Sequence, residues 1–320
     1  MKILTFSFFA VIVLSVDAFA GYGGNIGLKD DRQYDNLSNP LYSSVARFDA
    51  NGKPRCTAGF VSENIIITNH HCADLCARNK CSIYFWDGKQ YQTSDVNIIA
   101  MPKEYSTKDG TDWALFKSDV PNKNFKTVAF TTTGGAVLRG GYGTLRVISD
   151  DEIPIIKKAF GEARRTAKCA PSEDKITCVN KVANEILQKQ HNIPSLFNDN
   201  EKFKTQRCDI HTISEGLVRT TCDSSGGDSG APLLRGNQLV ALNNSGNQSV
   251  FGESEKYGAY ALNTINFYQA VQDAVMGRWM PPISFGGSAQ NDANADSVIA
   301  TDPQEIQSIM ENRLLDFQCD

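Results

Sequence analysis

Over residues 41–116, short runs of apolar, β-branched and aromatic residues alternate with turn signals. The runs 44–48, 59–68, 81–86, 97–101 and 113–116 are punctuated by Asn51-Gly52 and Asp87-Gly88, which predicts short strands at regular spacing in a sandwich or barrel. A second β region starts near Thr127, includes Ala136-Val137-Leu138 and Gly140-Gly141-Tyr142-Gly143, and resumes near Arg207 as far as Phe267, followed by a helix around 269–277. Between these stretches the period becomes helical: Ile153, Ile156, Ala159, Phe160 and Ala163, then Ile176, Val179, Val182, Ala183, Ile186 and Leu187. Pro171 and Ser172 mark a break, with Cys169 and Cys178 on either side, so a helical hairpin is expected. From Pro281 the chain is rich in Pro, Gly, Ser, Asn and Asp. It then offers Asp302 as N-cap, Pro303 as first helical residue, and Ile306, Ile309, Met310 and Leu314 on one face, which predicts a linker and a short C-terminal helix.

Composition narrows the function classes. With 320 residues, 41% hydrophobic and a net charge of −4, the chain is neither disordered nor collagen-like. It lacks the basic excess of a nucleic-acid footprint, so no nucleic-acid partner is expected. The start has Lys2, an apolar stretch over 3–16 and Ala18-Phe19-Ala20, the pattern of a signal peptide cut after Ala20. A membrane anchor is the rival reading, but the stretch is shorter than the roughly 20 apolar residues of a spanning helix. A secreted or periplasmic protein with no membrane span after cleavage is expected, in an oxidising compartment where disulfides persist.

All nine cysteines follow that segment. The spacing suggests local pairs: Cys56 with Cys72, Cys76 with Cys81, Cys169 with Cys178 and Cys208 with Cys222, leaving Cys319. Connectivity is not determined by spacing. By ligand type His70, His71, Cys72, Cys76 and Cys81 would also suit zinc, a reading that an exported chain disfavours.

Candidate chemistry centres on Gly226-Gly227-Asp228-Ser229-Gly230-Ala231-Pro232, a serine in a turn whose small neighbours let the Gly227 and Ser229 N–H groups bind an oxyanion. Such a serine needs a base, and all four histidines, His70, His71, His191 and His211, precede it. That order excludes an α/β-hydrolase.

The order His, Asp, Ser remains. Cys56-Thr57-Ala58-Gly59-Phe60-Val61 with Ile65-Ile66-Ile67-Thr68-Asn69-His70-His71-Cys72, then Asp112-Trp113-Ala114-Leu115-Phe116, then the serine segment, together resemble the chymotrypsin/trypsin family of serine proteases. The resemblance is closest to its bacterial glutamyl-endopeptidase-like (V8-like) branch, through Ile26-Gly27 with Asp30-Asp31-Arg32 and through Cys208 to Cys222 leading into the serine loop. It covers roughly 26–145 and 207–275 and leaves the hairpin and the tail unexplained.

The resemblance implies an all-β, chymotrypsin-like protein of two antiparallel β-barrels, with an inserted helical hairpin and a short C-terminal helix. The expected organisation is a signal peptide over 1–20, an N-terminal barrel with a short propeptide over 21–118, a C-terminal barrel over 119–280 interrupted by 147–206, and a linker and helix over 281–320. It further implies a Cys56–Cys72 bridge, His71 as base, Asp112 as its orienting carboxylate and Ser229 as nucleophile, with Gly227 and Ser229 as the oxyanion hole. No metal or organic cofactor is required, and the partners are protein or peptide substrates.

Each residue also has a bland reading: Asp112 suits a surface turn, His70 is a packing neighbour of His71, and His191 and His211 carry no motif. Asp223, six residues before Ser229, stands where trypsin-like enzymes bind Arg or Lys, giving a weak lean to basic substrates. Asn243 stands where glutamate-selective members have a histidine, against a preference for Glu. Asp228 is expected to pair with a newly exposed N-terminal amine, at Gly21 or Ile26. The alternative function is a catalytically silent binding or adhesion module on the same fold.

Overall fold

A computed structural model describes residues 30–278 apart from 78, 107–109, 127–128, 132–133, 172–174, 214–215 and 247–258, together with the short strands Ala20–Gly21, Gly24–Asn25 and Ile299–Ala300. The apolar runs of the first half form β1 (Val45–Ala50), β2 (Lys53–Phe60), β3 (Ile65–Thr68), β4 (Cys81–Trp86), β5 (Tyr91–Pro102) and β6 (Ala114–Ser118). Asn51 and Gly52 both take positive φ, 52° and 70°, the conformation that lets a two-residue turn join β1 to β2 without splaying them. The order β5-β4-β1-β2-β3-β6 closes through β5–β6 pairing into a six-stranded antiparallel barrel. Closure removes exposed edges, and the inward residues Phe48, Phe60, Phe85 and Phe116 fill the interior.

The second barrel contains β7 (Gly135–Gly141), β8 (Lys204–Ile213), β9 (Leu217–Thr220), β10 (Pro232–Arg235), β11 (Gln238–Gly246) and β12 (Ala259–Asn263). Its order is β11-β10-β7-β8-β9-β12, closed by β11–β12 pairing. Val137, Ile210, Val218, Leu233 and Val240 pack inside it. A third cluster joins the barrels: Trp113 and Leu115 from the first meet Tyr142, Leu234, Leu242 and Leu262 from the second. The two barrels are therefore held by a shared apolar layer whose burial opposes their separation.

Among the described residues the α-helices are the single turn α1 (His70–Ala73), α2 (Ile153–Thr166), α3 (Lys175–His191) and α4 (Tyr268–Val275). The chain leaves β7 at Gly141, forms α2 and α3, and returns at Lys204. The hairpin has its own core, in which Ile156, Ala159, Phe160 and Ala163 of α2 meet Ala183 and Leu187 of α3, with Leu145, Ile148 and Leu196 beneath. Cys178 lies inside the first turns of α3, not between the helices, because that helix starts at Lys175.

The expected signal segment, the Ile26-Gly27 start and the C-terminal helix with Cys319 lie outside the described residues. Within the expected linker, Ile299 and Ala300 pair with Pro102 and Met101, the end of β5 that β6 leaves unpaired.

Candidate active site

β3 ends at Thr68, and Asn69 turns the chain into α1. That turn brings three donors onto one aspartate. Asn69 Nδ2 donates to the Asp112 carbonyl at 2.9 Å, the His71 N–H to Asp112 Oδ1 at 2.9 Å, and His71 Nδ1 lies 2.7 Å from Asp112 Oδ2. An ionised carboxylate only accepts, so the ring proton sits on Nδ1 and Nε2 is left as a base. Asp112 is fully buried whereas the His71 side chain is 31% exposed, so one end of the pair is fixed and the other faces the surface. The Cys56–Cys72 disulfide ties α1 to β2 directly after His71.

The serine turn docks on the same β2 segment. The Thr57 N–H donates to the Ser229 carbonyl at 2.8 Å, and Thr57 Oγ1 donates to the Gly227 carbonyl at 2.8 Å. Gly230 makes this approach possible: its φ is 80°, and a Cβ there would collide with Thr68 Oγ1 and the Thr57 carbonyl. Its N–H donates to the Asn243 carbonyl of β11 at 2.8 Å. Ser229 is half-buried, and among the described residues its hydroxyl faces the Asn244 carbonyl at a long 3.4 Å, not the imidazole. Among the described residues no acceptor engages the N–H of Gly227 or of Ser229.

Behind this turn lies a buried set of charges. Asp228 accepts from the Ser225 N–H at 2.8 Å, and the fully buried Arg139 of β7 stands 3.3 Å from it. An internal guanidinium thus faces the Asp228 carboxylate, whose Oδ1 has no hydrogen-bond partner among the described residues, and Ile26, one expected source of an N-terminal amine, lies outside them. Asp30 and Arg32 form a second buried pair, 2.9 Å apart, and Arg32 also donates to the carbonyls of Leu145 and Arg146. Lys204 Nζ donates to the Gly143 carbonyl at 2.8 Å and lies 3.1 Å from Asp199; burial holds its pKa below the usual lysine value.

The expected specificity residues also face inward. Asp223 is buried; Gln206 donates through Nε2 to its Oδ2 at 2.9 Å and accepts its N–H at 2.8 Å. Burial pushes the Asp223 carboxyl up to about 7; the charges of Arg32 and Arg139 oppose that rise and Asp30 adds to it. Asn243 is buried too, its Nδ2 donating to Ser224 Oγ at 3.1 Å and to the Asp228 carbonyl at 3.0 Å.

Disulfides join Cys56 to Cys72, Cys76 to Cys81, Cys169 to Cys178 and Cys208 to Cys222. Cys56, His71 and Cys72 converge within 4.8 Å, but both sulfurs are bonded to each other and hold no thiolate for a metal. His70 is buried against the ring of Tyr105 with centroids 4.4 Å apart, and lies 3.6 Å from Asp74. His191 and His211 are exposed, away from these segments.

Sequence reasoning missed Asn69, Gln206 and Arg139. Asn69 was legible as the residue opening the histidine turn; the other two lie on strands without a motif, and only folding faces them toward carboxylates.

The family model for trypsin matches residues 35–271, most of the chain. None of the curated proteins matches. Among solved structures, neuropsin, a serine protease expressed in the limbic system of mouse brain, is 14% identical with a TM-score of 0.48, over 77% of this chain and 99% of neuropsin. With a trypsin match running from before β1 into α4, the chain belongs to the trypsin family and is a serine-type endopeptidase.

Proposed function

We propose that the protein is a secreted endopeptidase in which His71, Asp112 and Ser229 hydrolyse peptide bonds through an acyl-enzyme. The observation that carries this reading is the 2.7 Å contact between His71 Nδ1 and the buried Asp112, with the serine turn docked on Thr57, the neighbour of the Cys56 that is bonded to Cys72. His71 takes the proton from Ser229 Oγ as it attacks the carbonyl carbon. Asp112 stabilises the imidazolium, and the N–H groups of Gly227 and Ser229 receive the oxyanion. The imidazolium then protonates the leaving amine, and water attacking the ester regenerates the serine. Export of the chain through a signal peptide cut after Ala20, and kinship to the glutamyl-endopeptidase-like branch through the Cys208–Cys222 segment, complete the proposal.

For the residue preceding the scissile bond, Asp223 points to Arg or Lys. A second reading is favoured by one observation: Asp223 is buried and clasped on both its N–H and its carboxyl by Gln206. A carboxyl held in this way frames the serine loop, and a basic side chain would have to displace the amide to reach it. A peptide-library profile decides, since cleavage dominated by Arg and Lys supports the first reading and any other dominant residue supports the second.

The activity itself is tested by labelling the signal-cleaved protein with a fluorophosphonate probe. Wild type is expected to label and Ser229→Ala and His71→Ala are not. A folded wild type that stays unlabelled would turn the reading to a silent binding module.

A further inference from the structure

The hairpin presents a feature that peptide hydrolysis does not use. α2 buries Ile153, Ile156, Ala159, Phe160 and Ala163, so its opposite face meets solvent. On that face Lys158 and Arg165 share a row, seven positions and two helical turns apart, and the half-buried Lys157 and the exposed Arg164 form a second row on the flank beside it. Lys168 follows the end of the helix, next to Cys169, whose disulfide to Cys178 fixes the tip. Lys158, Arg164, Arg165 and Lys168 are exposed. From Lys157 to Lys168 the only carboxylate is Glu162, against five cations, on a chain whose net charge is −4.

The stem of the hairpin that carries this charge is hydrogen-bonded to the serine turn. The Thr144 N–H donates to the Gly226 carbonyl at 2.6 Å and the Leu145 N–H to Ser225 Oγ at 3.3 Å. On the returning side, the Asp199 N–H donates to the Thr144 carbonyl at 2.9 Å and the Arg146 N–H to the Leu196 carbonyl at 3.0 Å. The stem of the hairpin is thus hydrogen-bonded within two residues of Gly227.

We propose that the α2 face is a docking surface for an acidic segment of a polypeptide substrate, held apart from the bond that is cut. This rests on the endopeptidase reading above. The row from Lys158 to Arg165 is about 10 Å long at about 1.5 Å per residue, which an extended segment of about three residues spans, and Lys168 continues the charge beyond the end of the helix. A polypeptide is favoured over a membrane because the solvent face of α2 carries no exposed large apolar side chain to enter a bilayer. It is favoured over nucleic acid because the chain as a whole is anionic and no exposed aromatic lies among these cations on which a base could stack.

The test uses two quenched peptides with the same scissile sequence, one extended by six glutamates through flexible linkers of increasing length. The extension is expected to lower KM about tenfold at low salt, as several exposed ion pairs together would, with kcat unchanged. That gain disappears at high salt and in Lys158→Glu/Arg165→Glu/Lys168→Glu, and falls partway in the corresponding triple Gln variant, while both variants cleave the short peptide like wild type. An extension without effect at every linker length, or a gain that survives the triple substitution, overturns the proposal. So does binding of a duplex oligonucleotide or of anionic vesicles where the glutamate peptide does not compete. Anisotropy of the labelled glutamate peptide on Ser229→Ala separates the two readings. Binding there without turnover by wild type sinks the endopeptidase reading and leaves the surface standing; turnover without binding sinks the surface alone.

Discussion

At the scale of single residues, the proposed chemistry depends on which atoms a buried carboxylate faces. Asp112 receives the His71 N–H and ring Nδ1 together, so an amide in its place would offer an N–H2 group to one of two donors and favour the wrong imidazole tautomer. Asp112→Asn is accordingly expected to lower kcat about 10³- to 10⁴-fold with little change in KM, read on a short peptide. Asp223 makes a prediction about pH. Its carboxyl loses its proton near pH 4 in the unfolded chain but only near 7 when folded. Between those values the native state binds the extra proton, so this group's contribution to stability falls as pH rises through that window. Denaturant titrations of wild type and Asp223→Asn across the window should show the slope only in wild type; equal slopes would remove Asp223 as its source.

At the scale of elements, the hairpin is a separately braced unit. Arg146 grips Glu152, at the start of α2, through two hydrogen bonds of 2.7 and 2.9 Å. The Arg146 hydrogen bonds hold the Glu152 carboxyl down at about 2, well below its usual value. That contribution is fully present above about pH 4.5 and is lost as pH falls toward 2, a trend that Glu152→Gln should abolish. At the other end, the Cys169–Cys178 bridge closes a short loop. Replacing both cysteines by serine is expected to raise hydrogen exchange in α2 and α3 by about 2 to 3 kcal/mol of lost protection, without reaching the barrel strands. Loss spread evenly over the barrels would show that the hairpin does not open by itself.

At the scale of the whole molecule, the barrels share the layer formed by Trp113, Leu115, Leu234, Leu242 and Leu262, so neither keeps its apolar surface covered if the other unfolds. Near- and far-ultraviolet dichroism should report one coincident transition, and Leu242→Ala, costing about 2 to 5 kcal/mol, should shift both signals together. Two resolved transitions would show independent barrels. Much of this architecture was legible beforehand, because alternation of apolar and polar residues dictates strands, the 3.6-residue period dictates α2 and α3, and glycine beside Ser229 announces a turn of unusual backbone. The order of His71, Asp112 and Ser229 likewise needs only the chain. What the chain could not announce is which side chains meet once the barrels close. Gln206 over Asp223, Arg139 against Asp228, and the stem of the hairpin on Gly226 join positions 17 to 89 residues apart. Local patterns decide elements because their physics is local; the burial of a charge and the identity of its partner are settled only by tertiary packing, where desolvation makes each unpaired group costly.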